Sequence, residues 1–274
     1  MSKTMHPEEG FVTANGYKMH FLEWGRSGKS IVALHSMGMD AHSLDAFSES
    51  LAKEYRILAI DLLGHGDSDS PKGPTEMDEH AEIIRKVALE KGHTKNILVG
   101  HSIGGWLSMI YAAKHPEEVE KLVLVDIAPR PPTAETTGRP APPRPATPDS
   151  FDNEEEALKY LKTRYTGFTQ ESLENRLKHA FRKDPAGRLR LKSDPQRAEN
   201  LRGGFTYDFW PFIRKIQVPT LLIRGSKSQT VSDESVRLMK EILKDFKVVT
   251  IDATHMVPQD QPKEFEKAVR DFLT

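Results

Sequence analysis

Residues 97–105 read Ile-Leu-Val-Gly-His-Ser-Ile-Gly-Gly. A short apolar run ends in Gly-x-Ser-x-Gly, and a helix-like stretch over 106–114 follows at once. Buried strand, sharp turn and helix in this order hold the central residue in a strained backbone conformation. Strand and helix nearly collide there, so Gly100 and Gly104 have to be small. The reading predicts Ser102 lifted clear of the sheet edge, with its hydroxyl open to a substrate.

Outward from this point, strand-like and helix-like segments alternate. Residues 11–14 and 18–24 flank Asn15-Gly16, a two-residue hairpin signal. Residues 31–35, 56–60, 96–100 and 122–126 are short apolar runs of the kind buried on both faces of a sheet. Amphipathic stretches at 44–53, 77–91 and 106–114 lie between them. Strand and helix in rotation predict an α/β fold, a mostly parallel β-sheet flanked by helices. After Asp126 the rotation breaks. Residues 129–148 hold eight of the 18 prolines, a composition that forms neither a helix nor an interior strand. Helical patterns follow at 153–164 and 170–182, then a turn at Asp184-Pro-Ala-Gly, then the aromatic cluster Phe205, Tyr207, Phe209, Trp210 and Phe212. The sheet resumes at 219–225, with a helix near 232–244, a strand over 247–251 and a last helix near 262–273. Some 90 residues between two sheet strands are too many for a simple connection. The expected organisation is a core domain of residues 1–126 and 219–274 and an inserted, mostly helical cap over 127–218.

At 274 residues, 37% hydrophobic and 29% charged, the composition suits one globular core with a sizeable insertion. The formal net charge of −1 offers no basic field for nucleic acid or an anionic membrane, so neither is an expected partner. No stretch approaches a membrane span or a signal peptide, and a cytoplasmic location is the default expectation. The chain has no cysteine, which excludes disulfides and thiol catalysis. There is no Gly-rich phosphate loop and no clustered Cys/His metal signature, so neither a cofactor nor a metal is expected. The sequence carries no signal for an oligomeric state.

Four motifs in order give the chain a family resemblance. They are the Gly100-His101-Ser102-Ile103-Gly104-Gly105 elbow, His35-Ser36-Met37-Gly38 after a strand, Asp61-Leu62-Leu63-Gly64-His65-Gly66-Asp67-Ser68 after the next, and Thr254-His255-Met256-Val257-Pro258 before a terminal helix. Together they resemble the α/β-hydrolase fold family over nearly the whole length, and most of all its lid-bearing ester, lactone and carbon–carbon bond hydrolases. Serine in the elbow, where epoxide hydrolases and haloalkane dehalogenases carry aspartate, argues against those chemistries.

The resemblance implies a serine hydrolase. Ser102 is the expected nucleophile, and it needs a base to take its proton as it attacks a carbonyl. His255, in the loop after the last strand, is the expected base. His35, His65 and His101 read as hydrogen-bonded structural residues, and His6, His42, His80, His93, His115 and His179 as helical or terminal surface residues. In most of the family the orienting acid follows the strand after the lid, a spacing that falls on Ser228, where no carboxylate stands. Some members carry it one strand earlier, about 24 residues past the nucleophile, and Asp126 matches. Asp252 also lies near His255, and Asp233 reads as a helix cap. Backbone N–H groups of Met37 and Ile103 match the oxyanion donors. Ser36, Met39, Trp106, Ile127, Phe209, Trp210 and Met256 are expected to line an apolar pocket. The implied partner is a small apolar ester-like molecule, a lactone or thioester included. A carbon–carbon bond hydrolase of the ring-fission type and a non-catalytic ligand-binding relative are the alternatives.

Overall fold

A computed structural model describes residues 6–131, 147–193, 201 and 204–274. Strands β1 (Glu8–Ala14) and β2 (Tyr17–Trp24) pair antiparallel around Asn15 (φ 51°) and Gly16 (φ 78°), two left-handed positions that match the twist of a hairpin. Strands and helices then alternate as β3 (Lys29–Leu34), α1 (Asp45–Leu51), β4 (Tyr55–Ile60), α2 (Met77–Glu90), β5 (Asn96–His101), α3 (Ile103–Lys114) and β6 (Val119–Val125). The stretch that follows contains α4 (Glu154–Arg164), α5 (Gln170–His179), a small hairpin of β7 (Phe181–Lys183) and β8 (Leu189–Leu191), and α6 (Trp210–Ile213). The chain closes with β9 (Thr220–Gly225), α7 (Asp233–Ile242), β10 (Phe246–Ile251), α8 (Val257–Asp260) and α9 (Pro262–Leu273).

Among the described residues the main sheet has eight strands in the order β1-β2-β4-β3-β5-β6-β9-β10, parallel from β4 through β10. Alternate strand residues feed two cores, as a pleated sheet requires. Val32, Leu34, Leu98 and Leu124 pack with α2, α3 and α7 on one face. Ile31, Ala33, Val99 and Val125 pack with α1 and α9 on the other. β3 has β4 on one side and β5 on the other, so the chain reverses its direction of travel across the sheet there. The carboxyl ends of β3 and β5 flank that switch point, where open α/β sheets form their binding crevice.

The expected α/β class and its strands are found with boundaries shifted by a few residues. Much of the proline-rich segment, residues 132–146, lies outside the described residues. The helix expected over 170–182 stops at His179. The Asp184 carboxylate accepts the N–H groups of Ala186 and Arg188, folding the chain back so that residues 181–183 pair as a strand. Asn153 caps α4 and Thr169 caps α5 through their side-chain oxygens. Ser232, not Asp233, caps α7, and Asp233 pairs with Arg224. His42, His80 and His93, read from sequence as surface residues, are buried. A histidine is polar enough to sit in a helical surface pattern and apolar enough to pack, so pattern alone misplaced them.

Two predictions follow from this packing. A Cβ on Gly104 would lie 2.6 Å from the Leu34 carbonyl oxygen, whereas one on Gly73 meets nothing. Gly104→Ala is expected to cost about 3 kcal/mol in urea unfolding, against about 0.5 kcal/mol or less for Gly73→Ala. Burial pushes the pKa of His65 down to about 3, that of His80 to about 4 and that of His101 to about 3, with neighbouring imidazoles adding to the effect at His65 and His101. These histidines are neutral when folded and charge on unfolding, so their contribution is complete above the unfolded pKa near 6.5 and is lost as pH falls below it. Burial also lowers His179 to about 4 and lowers His35, so unfolding near pH 5 should take up about four protons or more, read as the slope of unfolding free energy against pH. A flat slope would refute the neutral assignments.

Candidate active site

The site is built on the sheet register. β5 and β6 run parallel with His101 opposite Val125, so the residues that leave the two strands, Ser102 and Asp126, lie side by side. Both have left-handed backbones, φ 54° at Ser102 and φ 47° at Asp126. Only Asn15 among the other described non-glycine residues shares this feature. Such strain persists where surrounding structure fixes it. At Ser102 the fixing contacts are its N–H bond to Val125 O (2.9 Å) and the tight seat of α3. A Cβ on Gly100 would lie 2.4 Å from Gly104 O, and one on Gly105 would lie 2.3 Å from the Ile127 side chain. At Asp126 they are its N–H bond to Ile223 O (2.7 Å) and the Gly225 N–H bond to Oδ1 (2.8 Å).

His255 enters from the loop after β10. The Ser102 hydroxyl donates to its Nε2 at 2.9 Å, and its Nδ1–H donates to Asp126 Oδ2 at 2.7 Å. The Asp126 carboxylate is fully buried while the imidazole is about one-third exposed. The carboxylate therefore sits in a low dielectric and the imidazole faces the crevice. Ser228 donates to the same Oδ2 at 2.5 Å, and Thr230 Oγ1 lies 3.2 Å from His255 Nδ1. The position where most of the resembled family carries its acid thus touches the Asp126 carboxylate just after β6. Asp252 is exposed and paired with Ser226 and Lys227.

Met37 and Ile103 leave the sheet at the switch point. Ile103 opens α3, so its N–H has no partner within the helix and lies at the positive end of the helix dipole. Neither N–H donates to another group of the described residues. The Met37 loop is held by His35, whose Nδ1–H donates to Ser36 O (2.8 Å) while its Nε2 accepts from Leu62 N–H (3.0 Å). His101 Nε2–H donates to His255 O at 2.8 Å and steadies the other loop. Asp61 ties the next turn, accepting Ala41 N–H (2.6 Å), Asp67 N–H (2.8 Å) and His20 Nδ1–H (2.8 Å). Burial alone would raise its pKa. The His20 hydrogen bond and charge, with the Asp67 N–H, outweigh that and hold it below the usual carboxylate range.

Of the expected pocket residues, Trp106, Ile127, Phe209 and Trp210 are buried in one core. Trp106 stacks on Phe209 at 5.2 Å, and Trp210 Nε1–H donates to Arg130 O at 2.6 Å. Ser36 is buried and Met37 half-buried. Met39 joins a separate cluster with Phe151, Phe168 and Leu173, against which the half-buried Met256 packs. Met39 also lines a cleft of about 530 Å³ between α5 and the core, whose lining includes neither Ser102 nor His255. Sequence reasoning missed Thr230, Gly225 and Arg176 near the site, because none belongs to a motif. Among the described residues, three His/Asp/Glu groups bring donor atoms within 4.8 Å of one another: His42-Asp45-His179, His20-Asp61-Asp67 and His115-Glu117-Glu118. In the first, the imidazoles stack at 3.6 Å and 20°, which sets their in-plane lone pairs side by side instead of toward one point. The second is the Asp61 turn described above, and in the third Glu118 is held by Arg85 and Tyr111.

No helix of the described residues is long and apolar enough to cross a membrane. The family model for the alpha/beta hydrolase fold matches residues 29–262. The chain is 28% identical to 2-(acetamidomethylene)succinate hydrolase of Mesorhizobium japonicum, over 90% of this chain and 88% of that protein. It is 27% identical to Lipase 1 of Psychrobacter immobilis, over 95% and 83%. The crystal structure of E-2-(acetamidomethylene)succinate hydrolase superposes with a TM-score of 0.86 at 24% identity, covering 98% of this chain and 99% of that one. The chain belongs to the α/β hydrolase fold family and is a hydrolytic enzyme of that type.

Proposed function

We propose that this protein hydrolyses a small carboxylic ester, lactone or thioester through an acyl-enzyme on Ser102. The observation that carries the reading is the continuous hydrogen-bonded line from Ser102 Oγ through His255 to the buried Asp126. In this mechanism Ser102 Oγ attacks the carbonyl carbon as its proton passes to His255 Nε2. Asp126 holds the imidazole in the required tautomer and stabilises the imidazolium that forms. The Met37 and Ile103 N–H groups stabilise the oxyanion. Their lack of any other acceptor among the described residues supports that role. His255 then returns the proton to the departing alcohol or thiol. Water, deprotonated by the same imidazole, releases the acid and restores Ser102.

Residues 127–218 act as a cap over this crevice in the same reading. Its support is the apolar cluster in which α4, α5 and the β7–β8 hairpin cover Met39 and Met256, one beside each proposed catalytic loop. Cap shape then selects the acyl and alcohol groups. The same reading takes a small apolar substrate acted on in the cytoplasm, and the net charge of −1 provides no basic field for an anionic polymer or membrane.

A fluorophosphonate probe and short-chain p-nitrophenyl esters test the reading. The wild type should label and turn over, and Ser102→Ala should do neither. A panel that adds 2-(acetamidomethylene)succinate and a ring-fission dienoate separates ester from amide and carbon–carbon cleavage. Turnover of either in preference to every ester would displace the ester assignment. Asp126→Asn should lower kcat by about 10²-fold or more. Because Ser228 Oγ already touches Asp126 Oδ2, adding Ser228→Asp to that variant should recover at least about tenfold of the loss. An Asp126→Asn enzyme with wild-type kcat would remove Asp126 from the mechanism.

A further inference from the structure

Helix α5 touches both loops that the proposed mechanism uses, and it does so through buried polar groups. Its Arg176 side chain is 4% exposed and its partner Asp40 is 7% exposed. Arg176 Nη1–H donates to Asp40 Oδ2 at 2.6 Å, and Nη2–H donates to Gly38 O at 2.5 Å. Ser193 Oγ–H, also from the inserted segment, donates to the same Gly38 oxygen at 3.0 Å. Gly38 is the third residue of a tight turn closed by Met39 N–H to Ser36 O (3.0 Å), and its φ of +78° is the type II signature. Met37 is the second residue of that turn. The Gly38–Met39 peptide, held by Arg176 and Ser193, donates its N–H to Ser36 O, in the peptide that carries the Met37 N–H. Its hold reaches that N–H through the closing bond and adds to that of His35 on Ser36 O. At the other end of α5, Thr169 N–H and Ser172 Oγ–H both donate to Gln259 O (3.1 and 2.9 Å). The next residue, Asp260, accepts Thr254 N–H and Oγ1–H (2.8 and 2.6 Å), immediately before His255.

We propose that α5 is a brace between the oxyanion loop and the histidine loop, with Arg176 as the positioning residue that sets the Met37 N–H. This inference rests on the role given to Met37 above. The planar fork of arginine reaches a carboxylate and a carbonyl at fixed relative directions, which a lysine ammonium on a flexible stem does not reproduce. Docking of the inserted segment and assembly of the oxyanion hole are then one event. Arg176 touches no reacting atom and acts only through the turn.

Arg176→Lys is the decisive variant, because it keeps the charge opposite Asp40 while loosening the hold on Gly38. Two readouts are needed. Amide hydrogen exchange over residues 36–40 should rise about tenfold or more, with the core strands unchanged by comparison. The kcat for a p-nitrophenyl ester should fall by about 10- to 100-fold, less than the roughly 10²- to 10³-fold for removing an oxyanion donor outright, with KM within about twofold. Fluorophosphonate labelling should slow in proportion. Ser193→Ala, which leaves the ion pair intact, should show the same pattern at smaller amplitude and serves where Arg176→Lys does not fold. Unchanged exchange over 36–40 in both variants overturns the brace, whatever the activity. A rise in KM at constant kcat also overturns it, since it would make Arg176 a substrate contact. If the wild type labels nowhere, the acyl-enzyme reading fails on its own, and the exchange result still decides the brace.

Discussion

The crossing of α3 over the end of β5 is the constraint from which the rest of the site descends. Helix and sheet approach so closely that a single added methyl would overlap the α3 backbone from Gly100, Leu34 of the neighbouring β3 from Gly104, or the Ile127 side chain from Gly105. With those positions held to hydrogen, the chain turns from strand to helix within one residue. Ser102 takes a backbone conformation that an unsupported serine rarely adopts. Three consequences follow from that one turn. The hydroxyl stands above the sheet edge, the Ile103 N–H at the helix start has no acceptor among the described residues, and parallel pairing sets Asp126 beside Ser102.

The second ordering principle is electrostatic. A fully buried carboxylate is tolerable only where each oxygen is satisfied. Asp126 meets this with Gly225 N–H on one oxygen and with His255 and Ser228 on the other. The loop after β9 therefore contributes donors around the carboxylate instead of a carboxylate of its own. β6 and β9 are adjacent parallel strands that end at the same rim, which is why Ser228 after β9 reaches the Asp126 carboxylate after β6. The bond from His101 to the His255 carbonyl and the neutral His35 beneath the Met37 turn serve the same end. They hold loops that, left to solvent, would sample many conformations.

The inserted segment is joined to the rest of the chain in two different ways. Residues near α6 merge with the main core through Phe209, Trp210 and Ile213, next to Trp106. The α4–α5 part has a separate apolar cluster that takes in Met39 and Met256, and it adds polar contacts to the sheet edge at Arg176, Ser172 and Asn175. Polar contacts have directional geometry, whereas apolar packing tolerates sliding. That is why the second junction suits a role in aligning loops, and the first suits anchoring.

Much of this was legible in the residues. Short apolar runs fixed the parallel sheet because strands covered on both faces must be apolar throughout, and Asn15-Gly16 fixed the hairpin because few residues accept two left-handed positions in a row. Glycines at 100 and 104 marked the turn at Ser102, and the spacing of Asp126 marked it as the neighbouring strand's end. Histidine burial at 80 and 93, the hairpin over 181–191 and the reach of Arg176 to Gly38 were not legible. Each depends on a partner more than a few residues away, or on the side of an element that packing happens to cover. Local propensity and periodicity report what a segment buries on average. Only the assembled sheet and the helix laid across it decide which polar atoms meet, because a hydrogen bond needs its two atoms within about 3 Å and in line, and no pattern along one segment carries that information.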